Sequence, residues 1–200
     1  MMIVRFVFFW LADFAVNVTA YTLNPLLALF ANSAGQLPAW LRWFQTYDAS
    51  LDGMGADGKI EPRFVASTSW LRDEAGQPRN QFYRYICRVA WLYRNNAYGF
   101  AIDVLGAVGP FAEVGSGMEL SLPALQAVPG NRYPAQGGWR LELYRGSDGR
   151  MYFHYWLVKD RGNGQCHEAN VGWKIAPGSD RAQLVCRYSP WRAFETTPAA

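Results

Sequence analysis

The sequence predicts an α+β fold in which an apolar N-terminal helix, residues 1–35, precedes a single domain over residues 36–195 and a tail over residues 196–200. Three observations predict it. Residues 6–30 are mostly apolar, residues 80–96 carry apolar side chains at helical spacing, and the final third alternates apolar and polar residues between turn sequences. We therefore expect one long helix packed on an antiparallel four-stranded meander.

The apolar run from Phe6 to Phe30 is long enough, as a helix with a rise of about 1.5 Å per residue, to cross a hydrocarbon core of about 30 Å. Pro25 lacks an amide hydrogen, so we expect a kink there or a separate short piece over residues 25–32. Four interpretations remain open. They are a single tilted transmembrane span, an in-plane or hairpin anchor, a soluble helix buried by the domain, and a cleaved signal peptide.

Polar side chains recur at spacings of three and four within this helix. They are Asp13, Asn17, Tyr21 and Asn24. In a helix they form one stripe on an otherwise apolar rod, and we expect self-association through this stripe. A charge at mid-bilayer costs about 3 kcal/mol, so Asp13 should face a partner helix, water or headgroups. With Asp13 and Asn17, Phe8 and Trp10 are expected to contact the membrane or a partner.

An aromatic segment follows the helix. After Pro38, the side chains of Trp40, Trp43, Phe44 and Tyr47 can share one face of a short helix. We expect an interfacial foot with Trp40 and Trp43 in contact with a membrane or partner. The alternative is that the rings fill the domain core, and exposure of the two tryptophans separates the two interpretations.

The glycine-rich segment after the foot carries Asp48, Asp52 and Asp57. Counted from Asp48, the twelfth position of a calcium-binding loop would be Lys59, where a bidentate glutamate is required. A solvated turn is therefore favoured, and the three aspartates are weak metal candidates. We expect no cofactor.

Asn80 can cap a helix over residues 80–96, on which Arg84 and Arg88 lie one turn apart. Arginines at this spacing are typical of a solvated face, and a contact with anionic headgroups or a partner is the functional alternative. Residues 63–78 are expected to form a loop or short strand. The formal charge of +3 is too small to indicate nucleic-acid binding.

The final third predicts four strands joined by short turns, and one further short strand is expected at residues 118–122. His154, His167, Cys166 and Glu168 are the residue types of a zinc or acid–base site. Neighbours on a strand point to opposite faces, so Cys166 and His167 cannot reach one metal without a bulge. The three cysteines have no metal-binding spacing, and we expect them to be reduced, mostly buried, and on the cytoplasmic side.

Several motifs carry a family resemblance. They are W-L-R-W-F-Q-T-Y-D-A-S-L-D-G at residues 40–53, W-L-Y-R-N-N-A-Y-G-F at 91–100, V-G-W-K-I at 171–175 and S-P-W-R-A-F at 189–194. With these motifs the chain resembles a family of uncharacterised proteins from tailed bacteriophages and prophages, in which the first motif often reads W-F-Q-T-P-D. Tyr47 stands here in place of that proline. The resemblance implies a phage product acting in a bacterial host, and it transfers no functional residue.

Together these observations favour a non-enzymatic, membrane-anchored viral protein. We expect it to display its domain on the cytoplasmic side of the host inner membrane and to bind a host or phage protein. One alternative is a virion structural component with the apolar N-terminus buried between subunits. A second is a metal-dependent hydrolase that uses Asp48, Asp52 and Asp57.

Overall fold

The computed structural model describes residues 1–46, 49–55, 58, 60–120, 138–162, 165–175 and 180–193. The chain divides into two compact units: Met1–Trp10 with Gly106–Ala200, and Leu11–Leu105. Helix α1 contributes its first residues to one unit and the remainder to the other. The domain boundaries at residues 35 and 195 stay predictions.

Helix α1 (Met2–Leu29) runs without interruption through Pro25, so the predicted separate piece after this proline is wrong. Proline removes one backbone donor, and packing of its neighbours offsets that loss. Asn24, Leu27 and Ala28 are all buried. The carbonyl oxygen of Pro25 accepts a hydrogen bond of 3.0 Å from the hydroxyl of Tyr85, which fixes this turn from outside the helix.

The Leu11–Leu105 unit is helical after α1. Its further elements are a 3-10 helix at Ala39–Phe44, α2 (Pro62–Ser67), a 3-10 helix at Ser69–Leu71, α3 (Gln81–Arg94) and a π-helix at Phe100–Val104. The predicted helix after Asn80 is confirmed, and the Asn80 side chain accepts a hydrogen bond from the amide of Tyr83 at 3.0 Å.

The prediction of a loop or short strand at residues 63–78 is wrong for residues 63–71, which are largely helical, and holds for residues 72–78, which form a turn closed by a bridge between Arg72 and Pro78. Proline at the first helical position, together with Glu61 accepting a 2.8 Å hydrogen bond from the amide of Phe64, starts α2 there. The buried core of this unit combines α1, the loops and α3. It contains Leu27, Ala28, Leu37, Leu41, Leu51, Phe64, Leu71, Cys87, Trp91 and Leu92.

The other unit is an antiparallel sheet of six strands. They are β1 (Ala107–Val108), β2 (Ala112–Leu120), β3 (Gly138–Arg145), β4 (Met151–Gly162), β5 (Gln165–Ile175) and β6 (Arg181–Ala193). Strands β2 to β6 follow one another as a meander, and β1 pairs with β6 at the opposite edge.

The predicted antiparallel sheet is confirmed, but its count of four strands is wrong. The additional strands β1 and β2 are both at sheet edges. Glycine and proline weaken a strand signal, and β2 contains Gly115 and Gly117 and follows Pro110. The predicted strand at residues 118–122 overlaps only the end of β2, and residues 121–122 lie outside the described part.

The core of the sheet unit forms around Trp173, which has no exposed surface. Phe6 of α1 packs edge-on against Trp173 and Phe153, with ring centroids 5.6 and 5.2 Å apart. Tyr152 completes the cluster at 5.1 Å from Trp173. The start of α1 is therefore part of this core, and the predicted packing of the 80–96 helix on the sheet stays a prediction.

Candidate functional site

Helix α1 exposes an apolar face, called here the α1 apolar face. It comprises ten large exposed side chains: Ile3, Val4, Val7, Phe8, Leu11, Phe14, Val18, Tyr21, Leu26 and Leu29. The structure describes every residue of α1, and no charged residue of this helix is exposed. Of the predicted contact residues, Phe8 is 69% exposed and Trp10 is half-buried. Soluble proteins normally show the opposite arrangement on a surface helix.

The charged side chains of α1 are turned away from this face. Arg5 donates a hydrogen bond of 2.6 Å from Nη2 to the carbonyl oxygen of Met151. Its guanidinium lies over the rings of Tyr152 and Trp173, 4.4 and 5.0 Å from their centroids. Asp13 is half-buried. Both charges therefore leave the exposed face uncharged.

The polar stripe of α1 is bonded to Asn96 in the same chain. Asn96 donates from Nδ2 to the backbone oxygen and to Oδ1 of Asn17, both at 2.8 Å. The fully buried Asn24 donates to Oδ1 of Asn96 at 3.0 Å, and Tyr21 stacks on Tyr93. Asn96 gives no functional signal in the sequence, because two asparagines after a helix are typical of a helix end. Self-association through the stripe stays a prediction.

The hydroxyl groups of two exposed threonines on α1 donate hydrogen bonds to backbone carbonyls of the same helix. Thr19 donates to the carbonyl oxygen of Ala15 at 2.9 Å, and Thr22 donates to that of Val18 at 3.4 Å. A hydroxyl bonded back to its own helix needs no water partner. These threonines can therefore meet an apolar medium without leaving a donor unsatisfied.

The whole of α1 is long and apolar enough to cross a membrane. Its most apolar window of 18 residues has a mean hydropathy of 1.6 and is 6% buried. Length and composition alone support this statement, and the core helix of a soluble protein or a signal sequence passes the same test. The low burial distinguishes α1 from a core helix.

The aromatic foot is exposed, as the interfacial interpretation requires. Trp40 is 68% and Trp43 is 52% exposed, whereas Leu41 between them is buried. Trp40 contacts the exposed ring of Phe30 at the end of α1, with centroids 5.9 Å apart. The segment forms a 3-10 helix over Ala39–Phe44, and Tyr47 lies outside the described residues.

Asp52, a candidate metal ligand, forms an ion pair with Arg88, a candidate headgroup contact. Arg88 donates from Nε and Nη2 to the two carboxylate oxygens of Asp52, at 2.8 and 2.9 Å. Arg88 is 7% exposed, so the expectation of a solvated face is wrong for this arginine. Asp48 and Asp57 lie outside the described residues. Within the described residues, no three His, Cys, Asp or Glu side chains are grouped to hold a metal.

The histidines of the sheet do not converge. His154 contacts Asn170 Oδ1 through Nε2 at 2.8 Å and Glu142 Oε2 through Nδ1 at 3.4 Å. His167 instead bonds the hydroxyl of Tyr188 at 2.8 Å. All three cysteines are thiols, and Cys87 and Cys166 are buried while Cys186 is exposed.

Glu142 is held ionised. Burial opposes ionisation of this carboxyl, but hydrogen bonds from His154 and Tyr144 and the neighbouring Arg140 outweigh it, so its pKa lies below the usual value. Glu142 is 8% exposed. A buried carboxylate that is ionised and bonded stabilises cross-strand packing, because Glu142 and His154 are directly opposed on β3 and β4.

One family model matches almost the full chain. A model of a family of unknown function, DUF7338, matches residues 1–195. Searches of curated proteins and of solved structures give no significant match.

Proposed function

The chain belongs to the DUF7338 family of unknown function, and from this premise we propose that the protein attaches to a membrane through α1. In this proposal α1 lies in the plane of the membrane surface. Its apolar face enters the boundary between headgroups and acyl chains, at a depth of about 5–10 Å. The aromatic foot sits at the same level, where tryptophan side chains are favoured.

The observation that supports this proposal is the inverted polarity of α1. Its polar side chains Arg5, Asn17 and Asn24 are bonded within the protein, and its exposed face is apolar. Transfer of one large apolar side chain from water contributes about 1.5–3 kcal/mol. Ten such side chains exceed the about 4 kcal/mol that corresponds to millimolar affinity, even when they are only partly buried.

An in-plane helix fits the packing better than a single span. Protein side chains contact α1 from Phe6 near its start to Ala28 near its end. A span would place these partners, including the polar side chain of Asn96, inside the hydrocarbon core, where such groups are costly. An in-plane helix leaves them in the folded protein.

Vesicle flotation with paired substitutions tests attachment. Full-length protein should float with vesicles made from bacterial inner-membrane lipids. The double variant Phe8→Lys/Leu11→Lys should float at least about tenfold less, because each lysine places a charge in the apolar boundary. Phe82→Lys is the matched control, since Phe82 is an exposed helical phenylalanine on α3, 66% exposed compared with 69% for Phe8.

Attachment through α1 is wrong if the wild type stays in solution, or if Phe8→Lys/Leu11→Lys floats as well as Phe82→Lys. Substitutions are preferable to removal of residues 1–35. That removal would also take Phe6, Asn24 and Leu27 from the protein's cores, so a change in flotation could reflect unfolding.

Thiol labelling distinguishes an in-plane helix from a span. Single cysteines at Ile3 and Phe30, on a Cys186→Ser background, place a label near each end of α1. An impermeant reagent should label both positions from the same side of sealed vesicles if α1 lies in the plane. Labelling from opposite sides would replace the in-plane proposal by a span.

The family resemblance of the W-F-Q-T and V-G-W-K-I motifs supports a phage context. We propose a non-enzymatic product that displays its folded domain at the cytoplasmic side of the host inner membrane to a host or phage protein. Buried thiols at Cys87 and Cys166 are consistent with a reducing compartment. Quantitative proteomics of fractionated infected cells tests this. Enrichment in the inner membrane supports the proposal, and enrichment in periplasm or medium contradicts it.

A second candidate is a virion component. The same α1 apolar face would then be covered by another subunit instead of lipid. Recovery in purified particles at a fixed copy number would favour this candidate and exclude the membrane proposal.

A further inference from the structure

A basic cavity lies within the Leu11–Leu105 unit. Its volume is about 240 Å³, and its walls include Ser50, Asp52, Gln77, Arg72, Arg84 and Cys87. Pockets for drug-sized ligands are typically about 300–1,000 Å³, so this cavity suits a smaller molecule. The larger part of the wall is apolar, with Met54, Ile60 and Pro78 among its residues, and the polar side chains stand out against it.

Arg72 is the most constrained cation of this wall. It is 3% exposed, and it donates from Nε to the Thr68 hydroxyl at 2.7 Å and from Nη1 to the Gly76 carbonyl at 2.8 Å. Its guanidinium also lies 5.2 Å from the centroid of the Phe64 ring. These contacts hold the guanidinium in one position before any ligand binds.

One donor of Arg72 is unsatisfied. Its Nη2 is buried and has no hydrogen-bond partner among the described residues. A buried guanidinium N–H without an acceptor is costly, and native proteins rarely retain one without a partner or a role. Nη2 itself is closed off from the cavity, so Arg72 contributes its positive charge to this wall, and charge-assisted hydrogen bonds to an anion are the strong ones that arginine forms.

The charge of the cavity wall also favours an anion. Asp52 is the carboxylate of the lining, and both of its oxygens already accept hydrogen bonds from Arg88. Arg72 and Arg84 therefore remain as two positive charges that this carboxylate does not neutralise. Arg84 is half-buried and adjoins the same space.

We propose that this cavity binds a phosphate group through Arg72 and Arg84. Arginine recognises phosphate oxygens with a planar fork of donors, and Ser50 and Gln77 offer further polar groups in the wall. The phosphate is either a free small anion or the headgroup of an anionic phospholipid. This inference does not depend on attachment through α1, and the experiment below separates the two.

Calorimetric titration of the full-length protein tests the site. The protein is held in a neutral detergent and titrated with inorganic phosphate, with chloride used to keep the ionic strength constant. Phosphate binding should weaken at least about tenfold in Arg84→Gln, because a charge-assisted hydrogen bond is lost. Arg63→Gln removes an equal charge from the same unit, outside the cavity, and should leave binding unchanged.

Arg72→Lys provides a second test. It keeps the charge but loses the fork that reaches Thr68 and Gly76, so it should weaken phosphate binding while circular dichroism reports the fold. Arg84 has no comparable structural hydrogen bonds among the described residues, so Arg84→Gln keeps the proposal testable if Arg72→Lys fails to fold.

Flotation identifies the source of the phosphate. If inorganic phosphate does not bind but Arg84→Gln floats less than Arg63→Gln on phosphatidylglycerol vesicles, the ligand is a lipid headgroup and the site is supported. The proposal is overturned if neither assay separates Arg84→Gln from Arg63→Gln. Binding to uncharged vesicles through α1 would persist in that case, so failure of this site does not imply failure of membrane attachment.

Discussion

Two residues, Arg88 and Asp52, form an ion pair that is largely removed from solvent. The side chains are 9% and 23% exposed, and the contact is bidentate. Planar pairing of guanidinium and carboxylate offsets part of the cost of removing both charges from water. Loss of one partner would leave the other buried and uncompensated.

We therefore expect Arg88→Met to destabilise the protein by about 3–5 kcal/mol, the range for breaking a buried pair. Arg94→Met is the matched control on the same helix, since its pair with Glu61 is 38% and 35% exposed and should contribute about 0–1 kcal/mol. Urea unfolding in detergent measures both values. Equal losses in the two variants would contradict the assignment of a buried pair.

Gly172 is a position where only glycine fits. Its φ is +115°, and a Cβ added there would lie 2.1 Å from the carbonyl oxygen of Phe153 on the paired strand β4. Gly172→Ala should therefore cost more than about 2 kcal/mol, because the strands must separate locally or the backbone must change conformation.

The matched control is Gly149→Ala, which also has a positive φ but no atom within 4 Å of the added Cβ. Its expected cost is about 1 kcal/mol, from backbone strain alone. Thermal unfolding of both variants measures the difference. If they lose the same stability, the close approach of Phe153 is not what requires glycine at position 172.

At the scale of the element, α1 shows which part of the structure was accessible from sequence. Hydropathy identified an apolar helix, and spacing identified the stripe of Asn17 and Asn24. Neither indicated that Asn96 binds the stripe, since Asn17 and Asn96 are 79 residues apart and periodicity carries no information about distant contacts. The continuation through Pro25 likewise depends on tertiary packing, which overrides local propensity.

The sheet shows the same limit. Strands β3 to β6 could be predicted because their alternation is bounded by turn sequences. Strand β1 could not be predicted, because it has two residues, and β2 was predicted only at its end, because glycines interrupt the rest of it. Both segments are extended because they pair with a neighbouring strand, β1 with β6 and β2 with β3, and such long-range pairing cannot be read from local sequence.

The contact between Asn96 and α1 gives a prediction for this element. Asn96→Ala should destabilise the protein by about 1–3 kcal/mol, because the side-chain amide of buried Asn24 loses its acceptor. Asn95→Ala is the control, since within the described part of the chain the Asn95 side chain makes a local bond, of 3.3 Å, to the carbonyl of Trp91. Its expected cost is below about 1 kcal/mol, as measured by chemical unfolding.

Asn96→Ala should also leave flotation with vesicles unchanged if it stays folded. The α1 apolar face does not include Asn17 or Asn24, the two residues that lose their contact with Asn96. A loss of flotation in folded Asn96→Ala, at a temperature below its unfolding transition, would show that the stripe itself contacts the membrane.

For the whole molecule, the resolved pKa shifts outside α1 have a consistent sign in each class of group. The pKa values of Glu61, Glu142 and Asp148 are lowered. For Glu61 the main cause is the hydrogen bond from Arg94. For Asp148 burial is the largest single effect and raises the pKa, but the hydrogen bonds from Tyr152 and the amide of Arg150, together with the charges of Arg150 and Arg5, outweigh it.

The pKa values of the thiol and phenol groups shift in the opposite direction and are raised. Burial raises the pKa values of Cys87 and Tyr144, and burial with the hydrogen bond to Asp148 raises that of Tyr152 to about 12. The folded state therefore favours ionised carboxylates and protonated thiol and phenol groups, which are the forms present near neutral pH. A stability maximum there follows from proton linkage.

The free energy of unfolding should therefore fall on both sides of neutrality. Carboxyl groups with lowered pKa stabilise the fold above their unfolded values, near pH 4, and this contribution is lost as pH falls through their folded pKa values. For Tyr152 the unfolded phenol ionises near pH 10, before the folded one at about 12. Stability should fall between these two values by up to about 1.4 kcal/mol per pH unit.

Tyr152→Phe tests the alkaline part of this profile. The variant should be about 1 kcal/mol less stable at pH 7, because the 2.7 Å hydrogen bond to Asp148 is lost, yet its stability should decline less steeply from pH 10 to 12 than that of the wild type. Tyr93→Phe removes an exposed phenol and serves as the control. Urea unfolding at intervals of half a pH unit gives the slopes. Equal alkaline slopes in wild type and Tyr152→Phe would show that Tyr152 does not contribute to the pH dependence of folding.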